Sequence, residues 1–527
     1  MQQPSGASLV NHPGPLGGAA AAAGTLAPPL TDRLLRSWLR CRRRAWLDRH
    51  GPEGARRWSA HRALALQDQL RSFQSLLPQR PGHGEQACQS GAPGVVGLRL
   101  RGTGPGGLPL EAHPPLLERV ETPSRWGSHG YRPVLVRQGR HLTREHRLVL
   151  ALWGRLLAEH QGAAVPQALV LAGAGDQLQR EQLNLGSGLH QQLEEVLPRL
   201  AAELEPGRDI PPLVNDRKKC TLCSWRGLCD GEAAAEGHLS EVSGIGGKRR
   251  DLLISLGITS LGELATADPE GLADSLEDHG EQHRDVAAQL VAQARVQAAG
   301  ECRRLATGPA LPELTQAPGV LVYDIEADSD ARDDFLHGFL KLERGAAGWP
   351  SLAAAAGAPY HPLLALHEHG EERLWRRLRT LLERYPDWPV LHYGETEAVG
   401  LLRLAERQGV SEAERTRLRR RLIDVHQRLK RHWLLPVNSY GLKAVASWLG
   451  FRWSQGGADG ARCLLWWRQW RQDRNRPNVP PRLAGRPLER IFRYNRDDGL
   501  ATWAVASWML EHEQQPANQA AVEDRLP

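Results

Sequence analysis

One apolar segment, residues 319–326 (GVLVYDIE), places the strongest constraint on what this chain folds into. Its β-type residues predict a buried strand, and side chains two positions apart on a strand point to the same face. Asp324 and Glu326 are two apart, so their carboxylates share one face at the end of that strand. Two buried negative charges are costly unless a cation neutralises them. The segment therefore favours a divalent-metal site, and the alternative is a solvated acidic turn, because further aspartates follow directly.

The length and composition indicate a multidomain globular protein. A chain of 527 residues is too long for one core and is expected to form about three domains. Its 41% hydrophobic and 24% charged residues are typical of a soluble protein. Since no run of about 18 apolar residues is present, we expect no membrane span and a cytoplasmic location. Residues 1–28 lack the features of a signal peptide and, like the tail at residues 513–527, are predicted to be disordered.

The charge of the chain favours a nucleic-acid partner. The net charge is +7, and only six of the 67 basic residues are lysines. Arginine binds phosphate oxygens through its planar fork, although a GC-rich genome produces the same arginine bias. Seven cysteines in a chain of this size argue against a disulfide framework, so their spacing is more informative than their number.

Three of the cysteines form a C-x2-C-x5-C cluster, which indicates a shared metal ion or metal cluster. They are Cys220, Cys223 and Cys229, and a fourth ligand is expected. Cys41 is the candidate because its neighbourhood is equally basic, and Cys88 is the alternative. This arrangement resembles the iron-staple nucleases of the RecB-like family, with one cysteine near the N-terminus and three after the nuclease core. The resemblance implies a [4Fe–4S] cluster on Cys41 and the three clustered cysteines, with zinc or unligated thiols as alternatives.

The same resemblance locates a nuclease site that this sequence lacks. A RecB-like, PD-(D/E)xK-type core needs an acid on one strand and an acid-x-Lys on the next. The matching stretches are residues 110–119 and 131–140, where Pro115 stands at the first position and Leu135, Val136 and Arg137 stand at the second. We therefore predict that residues 29–235 are a degenerate nuclease fold that is kept for DNA binding.

Residues 236–304 are predicted to bind the backbone of DNA. Gly244, Ile245 and Gly246 form a tight turn between two helical patterns, and Lys248 and Arg249 follow it. Such a turn presents backbone N–H groups at a helix N-terminus to a phosphate. The segment resembles a helix-hairpin-helix, whose nucleic-acid contacts are predicted at the two glycines and the two basic residues. The alternative is a helical linker whose glycines only make turns.

A proline-punctuated stretch, residues 305–318, is predicted to link this region to a last domain at residues 319–512. Three more acids in that domain follow apolar elements. Glu397 begins a helix after the strand at 389–393, and Asp424 ends the apolar run at 422–424. Tyr494 and Asp498 are four residues apart on a predicted helix and therefore share one face.

These motifs resemble the DEDD exonucleases of the RNase H-like superfamily, and most closely their YprB-type branch. The resemblance covers residues 318–510 and implies that two Mg²⁺ or Mn²⁺ ions are held by Asp324, Glu326, Glu397 and Asp498. Tyr494 would orient the attacking water. Glu397 departs from the pattern, in which aspartate is usual. Asp424 is interpreted as a structural acid rather than a ligand. Lys443 and Arg496 are candidates for phosphate contacts, with solvated surface positions as the alternative.

The whole order predicts an α/β multidomain protein: a degenerate RecB-like domain, a helix-hairpin-helix, and a C-terminal RNase H-like domain with a mixed sheet. The predicted function is a metal-dependent DNA exonuclease of DNA repair, in which the N-terminal half binds DNA and the C-terminal half cuts it. The 3′-to-5′ polarity is implied by the resemblance alone. A non-catalytic nucleic-acid-binding adaptor and an RNA exonuclease are the alternatives. The tryptophans at 466, 467 and 470 are interpreted as core rather than as a strand-binding surface.

Overall fold

A computed structural model describes residues 28–513 of the chain, apart from residues 138, 140, 175, 176, 215, 216, 329–332, 475, 478 and 479. The two terminal segments predicted to be disordered lie outside the described residues, except for Pro28 and Glu513. The chain divides into two compact units. The first unit contains the residues up to Arg49 and Ser72–Asp209, and the second contains His50–Arg71 and the residues from Ile210 onward. In the described part of the chain, no helix is long and apolar enough to cross a membrane.

The first unit packs two sheets and several helices around one long helix. In chain order its elements are β1 (Leu30–Thr31), α1 (Asp32–Arg40), α2 (Arg42–His50), the end of α3 (Ala60–Leu76), β2 (Gly82–His83), α4 (Gly84–Gln89), β3 (Gly94–Val96), β4 (Leu100–Thr103), β5 (Pro109–Ala112), β6 (Leu117–Val120), β7 (Gly130–Val136), α5 (Arg144–Gln161), β8 (Gln167–Ala172), β9 (Gln179–Asn184) and α6 (Ser187–Glu203). One sheet has the order β2-β3-β6-β7-β8-β9 and the other has the order β1-β5-β4.

Helix α5 is the centre of the first unit because its middle residues are all apolar and buried. Its start is set by Thr143, whose hydroxyl accepts from the N–H of His146 at 3.3 Å. Its end is set by Gly162, which takes the left-handed conformation (φ 63°) that glycine adopts without a steric cost. The helix packs its apolar surface against the strands of both sheets.

The stretches in which the nuclease acids are missing lie on or next to two paired strands of the first unit, β6 and β7. β6 and β7 pair in antiparallel register, and the N–H of Val134 donates to the carbonyl of Leu116 at 3.0 Å, so the residue after Pro115 is bonded to the residue before Leu135. Leu135 is buried, and the nearby acid Glu118 is paired with Arg132 at 2.7 Å. The sequence departure therefore coincides with an apolar strand pair rather than with a carboxylate pair.

A helical region occupies the start of the second unit. Its elements are α7 (Arg226–Ala235), α8 (Gly247–Ser255), α9 (Leu261–Thr266), α10 (Pro269–Glu277), α11 (Glu281–Arg284), α12 (Ala287–Ala299) and β10 (Arg303–Arg304). A separate apolar core that includes Ile245, Leu253 and Leu290 joins α8, α9, α10 and α12. The region is hydrogen-bonded to the C-terminal domain, since the amide of Gln293 donates to the carbonyl of Leu435 at 2.8 Å.

The C-terminal domain has a five-stranded mixed sheet with helices. Its elements are β11 (Gly319–Asp328), β12 (Asp333–Glu343), α13 (Leu352–Ala355), β13 (Tyr360–Leu364), α14 (Gly370–Arg384), β14 (Val390–His392), α15 (Glu395–Arg407), α16 (Glu412–Arg421), β15 (Leu422–Asp424), α17 (Val425–His432), β16 (Trp433–Leu434), α18 (Leu442–Trp448), α19 (Gly460–Asp473) and α20 (Pro481–Glu511). The strand order is β13-β12-β11-β14-β15. β11 is antiparallel to β12 and parallel to β14, and β14 is parallel to β15.

Apolar layers cover both faces of β11, and this explains its continuous hydrophobic run. Val320 and Val322 belong to a core shared with α20, whereas Leu321 and Tyr323 belong to a core shared with α14 and α15. A strand buried on both faces is expected to be apolar at successive positions instead of alternating. The segment predicted as a linker also contributes here, because Ala310, Leu311 and Leu314 are buried in the core that contains Val320.

The second unit is wider than the domain boundaries predicted from the sequence. It includes His50–Arg71 and residues 210–235, both of which the sequence analysis assigned to the N-terminal domain. Ala60 and Leu64 of α3 pack in a core with Phe335 and Trp467. Asp68 is paired with Arg468 of α19 at 2.8 Å. These contacts explain why a segment from the N-terminal part of the chain belongs to the unit that contains the C-terminal sheet.

Candidate metal-binding active site

Three carboxylates meet where β11 ends against α20. One oxygen from each of Asp324, Glu326 and Asp498 lies within 4.8 Å of the others. Glu326 and Asp498 are buried, and Asp324 is half-buried. Among the described residues, no other set of three or more potential ligands from His, Cys, Asp and Glu comes this close together. The structure thus brings together both halves of the predicted D-x-E and Y-x3-D motifs.

Local periodicity accounts for this convergence. Asp324 and Glu326 lie two positions apart on β11, and the regular pairing with β12 shifts only after Glu326. On α20, Tyr494 and Asp498 lie one turn apart, and the side chain of Tyr494 is hydrogen-bonded to the Asp498 carboxylate. The sheet and the helix therefore each present acids from one face, and the packing of α20 against β11 closes the site.

Asn495 connects the carboxylates to the sheet, although no sequence pattern predicted a role for it. Its side-chain amide donates to Asp324 at 2.6 Å and lies 3.5 Å from Glu326 Oε1. Its carbonyl oxygen accepts from the hydroxyl of Tyr360 at 2.8 Å. The amide occupies the space beside Gly338, where a Cβ would overlap it. The only signal in the sequence was the position of Asn495 inside the YNRDD motif.

Two further contacts fix the acids in place. The indole N–H of Trp453 donates to Asp498 at 2.6 Å. The side chain of Cys463, on α19, is hydrogen-bonded to Glu326. The neighbouring acid Asp497 instead accepts from the backbone N–H and the hydroxyl of Ser454, at 2.9 and 2.7 Å. The first and last residues of the stretch 453–463 therefore both contact carboxylates of the cluster, although this stretch carries no recognisable motif.

The electrostatics of the site favour a cation. Burial, together with repulsion from the neighbouring acids, holds the pKa of Asp324 well above its ordinary value. Burial and the nearby Asp498 raise the pKa of Glu326 from 4.5 to about 8. Burial raises the pKa of Asp498 from 3.8 to about 6, against hydrogen bonds and the attraction of Lys443 that lower it. These carboxylates cannot all ionise near neutral pH without a neutralising charge, and an all-oxygen ligand set suits Mg²⁺ or Mn²⁺.

Glu397 lies at the edge of this cluster. It is in the first turn of α15, is buried, and its Oε2 has no hydrogen-bond partner among the described residues. Burial, followed by repulsion from Asp424 and Asp498, raises its pKa from 4.5 to about 7. Its carboxylate oxygens do not belong to the set of ligand oxygens that lie within 4.8 Å of one another. An orphaned buried carboxylate oxygen facing other acids fits a position that a cation would complete.

Asp424 has the contacts of a structural acid. Its carboxylate caps α17 by accepting from the N–H of Gln427 at 3.2 Å. It also accepts from the N–H of Gly394 at 3.0 Å, and so ties the end of β14 to the end of β15. Both contacts are local to the loops that precede α15 and α17. The interpretation of Asp424 as a structural residue stays a prediction.

The two candidates for phosphate contact lie in different surroundings. The ammonium of Lys443 donates to the carbonyl of Ala458 at 2.6 Å and lies over the ring of Tyr494, 5.1 Å from its centroid. Lys443 is thus beside the carboxylate cluster. The guanidinium of Arg496 instead donates to the carbonyl of Ala356, at the end of α13. Their contacts with a substrate remain a prediction.

The predicted DNA-binding turn is a glycine turn that leads into α8. Gly244 has a φ of 94°, which favours glycine, and Gly246 is the N-terminal cap of α8. Lys248 is exposed, whereas the guanidinium of Arg249 donates to the carbonyl of Gly244 at 2.6 Å. Ile245 points into the helical core. Lys248 is thus an exposed basic residue at the start of α8, and DNA binding by this turn stays a prediction.

The four cysteines of the predicted cluster divide between the two units. Cys41 belongs to the first unit, and its sulfur accepts from the N–H of Arg44 at 3.4 Å. Cys220, Cys223 and Cys229 belong to the second unit, where the N–H of Cys223 donates to the carbonyl of Cys220 at 2.9 Å. In the described part of the chain they do not form a close ligand set. The iron–sulfur cluster stays a prediction.

The tryptophan-rich helix α19 contributes to the core, as predicted. Trp467 is buried and stacks on Phe335, with ring centroids 4.7 Å apart. Trp470 also stacks on Trp467, with ring centroids 5.0 Å apart. Trp466 and Trp470 are partly buried against the same cluster.

A comparison with protein families supports the assignment of this domain. A family model described as RNase_H superfamily matches residues 321–510. A comparison with curated proteins found no match. The matched range contains all three clustered carboxylates, the five-stranded sheet except the first two residues of β11, and α20 except its last residue. Residues 321–510 therefore form an RNase H-like domain, a fold that is consistent with a nuclease acting on nucleic acid.

Proposed function

We propose that this chain is a metal-dependent nuclease that hydrolyses phosphodiester bonds by a two-metal mechanism in its C-terminal domain. The observation that carries the proposal is the convergence of Asp324, Glu326 and Asp498 within 4.8 Å. The pKa values of Glu326 and Asp498 are raised, so ionisation of these carboxylates is unfavourable until a cation is present. Buried acids that repel each other are costly, and a purely structural role does not account for them.

The proposed ligands are those three acids and Glu397. Divalent ions held there would lower the pKa of a water molecule and stabilise the charge that develops on the phosphate. Asn495 holds Asp324 in position through its 2.6 Å hydrogen bond, and Trp453 does the same for Asp498. Such outer contacts orient ligand oxygens before the ion arrives. The free Oε2 of Glu397 supports a role as ligand, directly or through water.

Tyr494 is proposed to orient the attacking water. It is buried, and its pKa is raised by burial and by the neighbouring carboxylates, so the phenol keeps its proton at neutral pH. The bond to Asp498 fixes the ring, and Lys443 lies over its face. A neutral phenol both donates and accepts hydrogen bonds, which suits the positioning of a water molecule.

The proposed substrate is DNA, and the proposed polarity is 3′ to 5′. The polarity rests on the resemblance to the DEDD exonucleases. The choice of DNA rests on the turn at residues 244–246 and on the basic residues after it. The helical region is fastened to the C-terminal domain by Gln293, which also accepts from the hydroxyl of Tyr440 at 3.1 Å. A strand bound at this turn would therefore be held at a constant position relative to the active site.

The N-terminal domain is proposed to bind DNA without cutting it. Pro115 and Leu135 stand where the resemblance to RecB-like nucleases places acids, and this supports a domain that does not cut. A [4Fe–4S] cluster on Cys41, Cys220, Cys223 and Cys229 is proposed to stabilise the protein. Anaerobic purification should give a brown protein with bound iron that is lost on Cys223→Ser. A colourless protein with stoichiometric zinc would overturn the cluster assignment.

The proposed activity is tested with end-labelled single- and double-stranded DNA and RNA in Mg²⁺ or Mn²⁺. Wild-type protein is expected to shorten DNA from its 3′ end, and Asp324→Ala and Asp498→Ala proteins are expected to be inactive. Glu383→Gln is the matched control, because this acid of α14 is paired with Arg379 at 2.6 Å and not with the cluster. If wild type degrades nothing, or if both alanine variants remain active, the enzyme proposal is wrong and the adaptor alternative gains support.

A further inference from the structure

One exposed aromatic ring contacts α19, the helix that also carries Cys463, and has no role in the mechanism above. Trp58 is 61% exposed, and it is the only aromatic residue among the large exposed hydrophobic side chains of the described chain. Single exposed hydrophobic side chains are common and need no explanation by themselves. Its surroundings distinguish Trp58, because it lies under the guanidinium of Arg462, 5.0 Å from the ring centroid.

We propose that Trp58 and Arg462 form a stacking platform for an unpaired base of the strand that enters the active site. The inference rests on the proposed nuclease function and deepens it, because it assigns single-stranded DNA as the substrate that the site takes. Proteins that bind single strands combine aromatic faces, on which bases stack, with basic side chains that follow the backbone. A base inside a duplex is already stacked, so an aromatic platform selects unpaired nucleotides.

The chain between Lys443 and Arg462 connects this platform to the carboxylates. Arg462 lies in the first turn of α19, directly before Cys463, whose side chain is hydrogen-bonded to Glu326. Lys443 reaches the same stretch through the carbonyl of Ala458, at 2.6 Å. Arg462, one half of the platform, is thus the neighbour along α19 of Cys463, whose side chain contacts the site.

The position of Trp58 is fixed by its own segment. The N–H of Arg57 donates to the carbonyl of Ser224 at 2.9 Å, on one side of Trp58. On the other side, Ala60 is buried and begins α3, which Asp68 ties to α19 through Arg468. The backbone on both sides of the ring is therefore anchored within the second unit. A fixed ring with an exposed face is suited to stacking, since little conformational freedom is lost when a base binds.

The charges around the ring suit a strand with a phosphate backbone. Arg462 and Lys443 are both cationic and lie on the stretch that leads to the cluster. Arginine also stacks on aromatic and base planes, so Arg462 holds the ring and offers a second planar surface. An unpaired nucleotide presents a flat base and a negative phosphate, and these are the two features that the platform matches.

The inference is tested with full-length protein carrying Asp324→Ala, which keeps the strand intact. Single-stranded DNA oligonucleotides carry the fluorescent base 2-aminopurine at successive positions from each end. Stacking on an aromatic ring is expected to quench the base at one position. Adding Trp58→Ala is expected to abolish that quenching and to weaken binding about 5- to 150-fold, the range that alanine substitution of stacking residues gives. Trp58→Phe is expected to keep the quenching.

Leu66→Ala is the matched control, because Leu66 is 55% exposed on the same segment and is not aromatic. It is expected to leave both readouts unchanged, and binding of a fully paired duplex is expected to be insensitive to Trp58→Ala. The inference is overturned if no position loses its quenching in Trp58→Ala, or if Leu66→Ala or the duplex shows the same loss. In a parallel assay of protein with Asp324 intact, absence of hydrolysis would refute the nuclease proposal while leaving the binding result to decide on the platform.

Discussion

Replacing Glu326 by glutamine is expected to stabilise the metal-free protein, although it removes a residue of the proposed active site. Burial and the neighbouring Asp498 raise the pKa of Glu326 from 4.5 to about 8. At a pH between these two pKa values, Glu326 keeps its proton in the folded protein and releases it in the unfolded chain. Folding stability in the absence of metal therefore falls as pH rises through this window. Glutamine cannot ionise, and its amide oxygen still accepts hydrogen bonds from Cys463 and Asn495.

The magnitude follows from the size of the pKa difference. At pH 7 the solution lies about 2.5 pH units above the ordinary pKa of 4.5, and each unit corresponds to about 1.4 kcal/mol, so the cost is about 3 kcal/mol. For a domain of this size that corresponds to a rise in Tm of about 6–12 °C for Glu326→Gln in EDTA at pH 7. The advantage is expected to shrink towards zero near pH 4, where both the folded and the unfolded wild type hold the proton.

The assay is thermal unfolding of wild type and Glu326→Gln at pH 4 to 8, in EDTA and in Mg²⁺. Wild type is expected to be stabilised by Mg²⁺, because an ion that binds only the folded state adds to its stability, and the variant is expected to lose most of that response. Asp497→Asn is the matched control on the same helix: its carboxylate is satisfied by Ser454, so it should lower stability and keep the Mg²⁺ response. A Glu326→Gln protein that is less stable than wild type in EDTA at pH 7, or a difference that does not change with pH, would refute the reasoning.

Three further substitutions test the contacts around the cluster. Asn495→Ala removes the 2.6 Å donor to Asp324 and is expected to lower kcat about 10- to 100-fold without unfolding the protein, as circular dichroism would verify. Gly338→Ala places a Cβ against the Asn495 amide and 2.8 Å from the Tyr360 hydroxyl, so a loss of about 1–3 kcal/mol in unfolding free energy is expected by urea titration. Glu397→Gln is expected to raise the Mg²⁺ concentration needed for half-maximal hydrolysis about tenfold or more, and an unchanged requirement would remove Glu397 from the ligand set.

The sequence was sufficient to predict the core of the site, because the relevant periodicities are local. The period of a strand sets Asp324 and Glu326 on one face, and the period of a helix does the same for Tyr494 and Asp498. That the two pairs meet was predicted through the resemblance of their order along the chain to a known nuclease fold. The structure brings Asp324, Glu326 and Asp498 within 4.8 Å.

The residues that hold the acids were not predictable, because their contacts depend on tertiary packing. Trp453 reaches Asp498 from a loop that carries no motif, and Cys463 reaches Glu326 from a helix that was interpreted only as core. The membership of residues 50–71 in the second unit depends on the burial of Ala60 and Leu64 and on one ion pair between distant parts of the chain. Single-sequence patterns contain no information on such pairings.

The most direct test of the metal site is a titration with Mn²⁺, followed by the electron paramagnetic resonance signal of the free ion. Wild-type protein is expected to remove Mn²⁺ from solution in a saturable manner, and Mg²⁺ should compete for the same site. The Asp324→Ala/Asp498→Ala double variant is expected to leave the free Mn²⁺ signal close to that of buffer. Equal binding of Mn²⁺ by the double variant and wild type would contradict the assignment of a metal-dependent active site to these carboxylates.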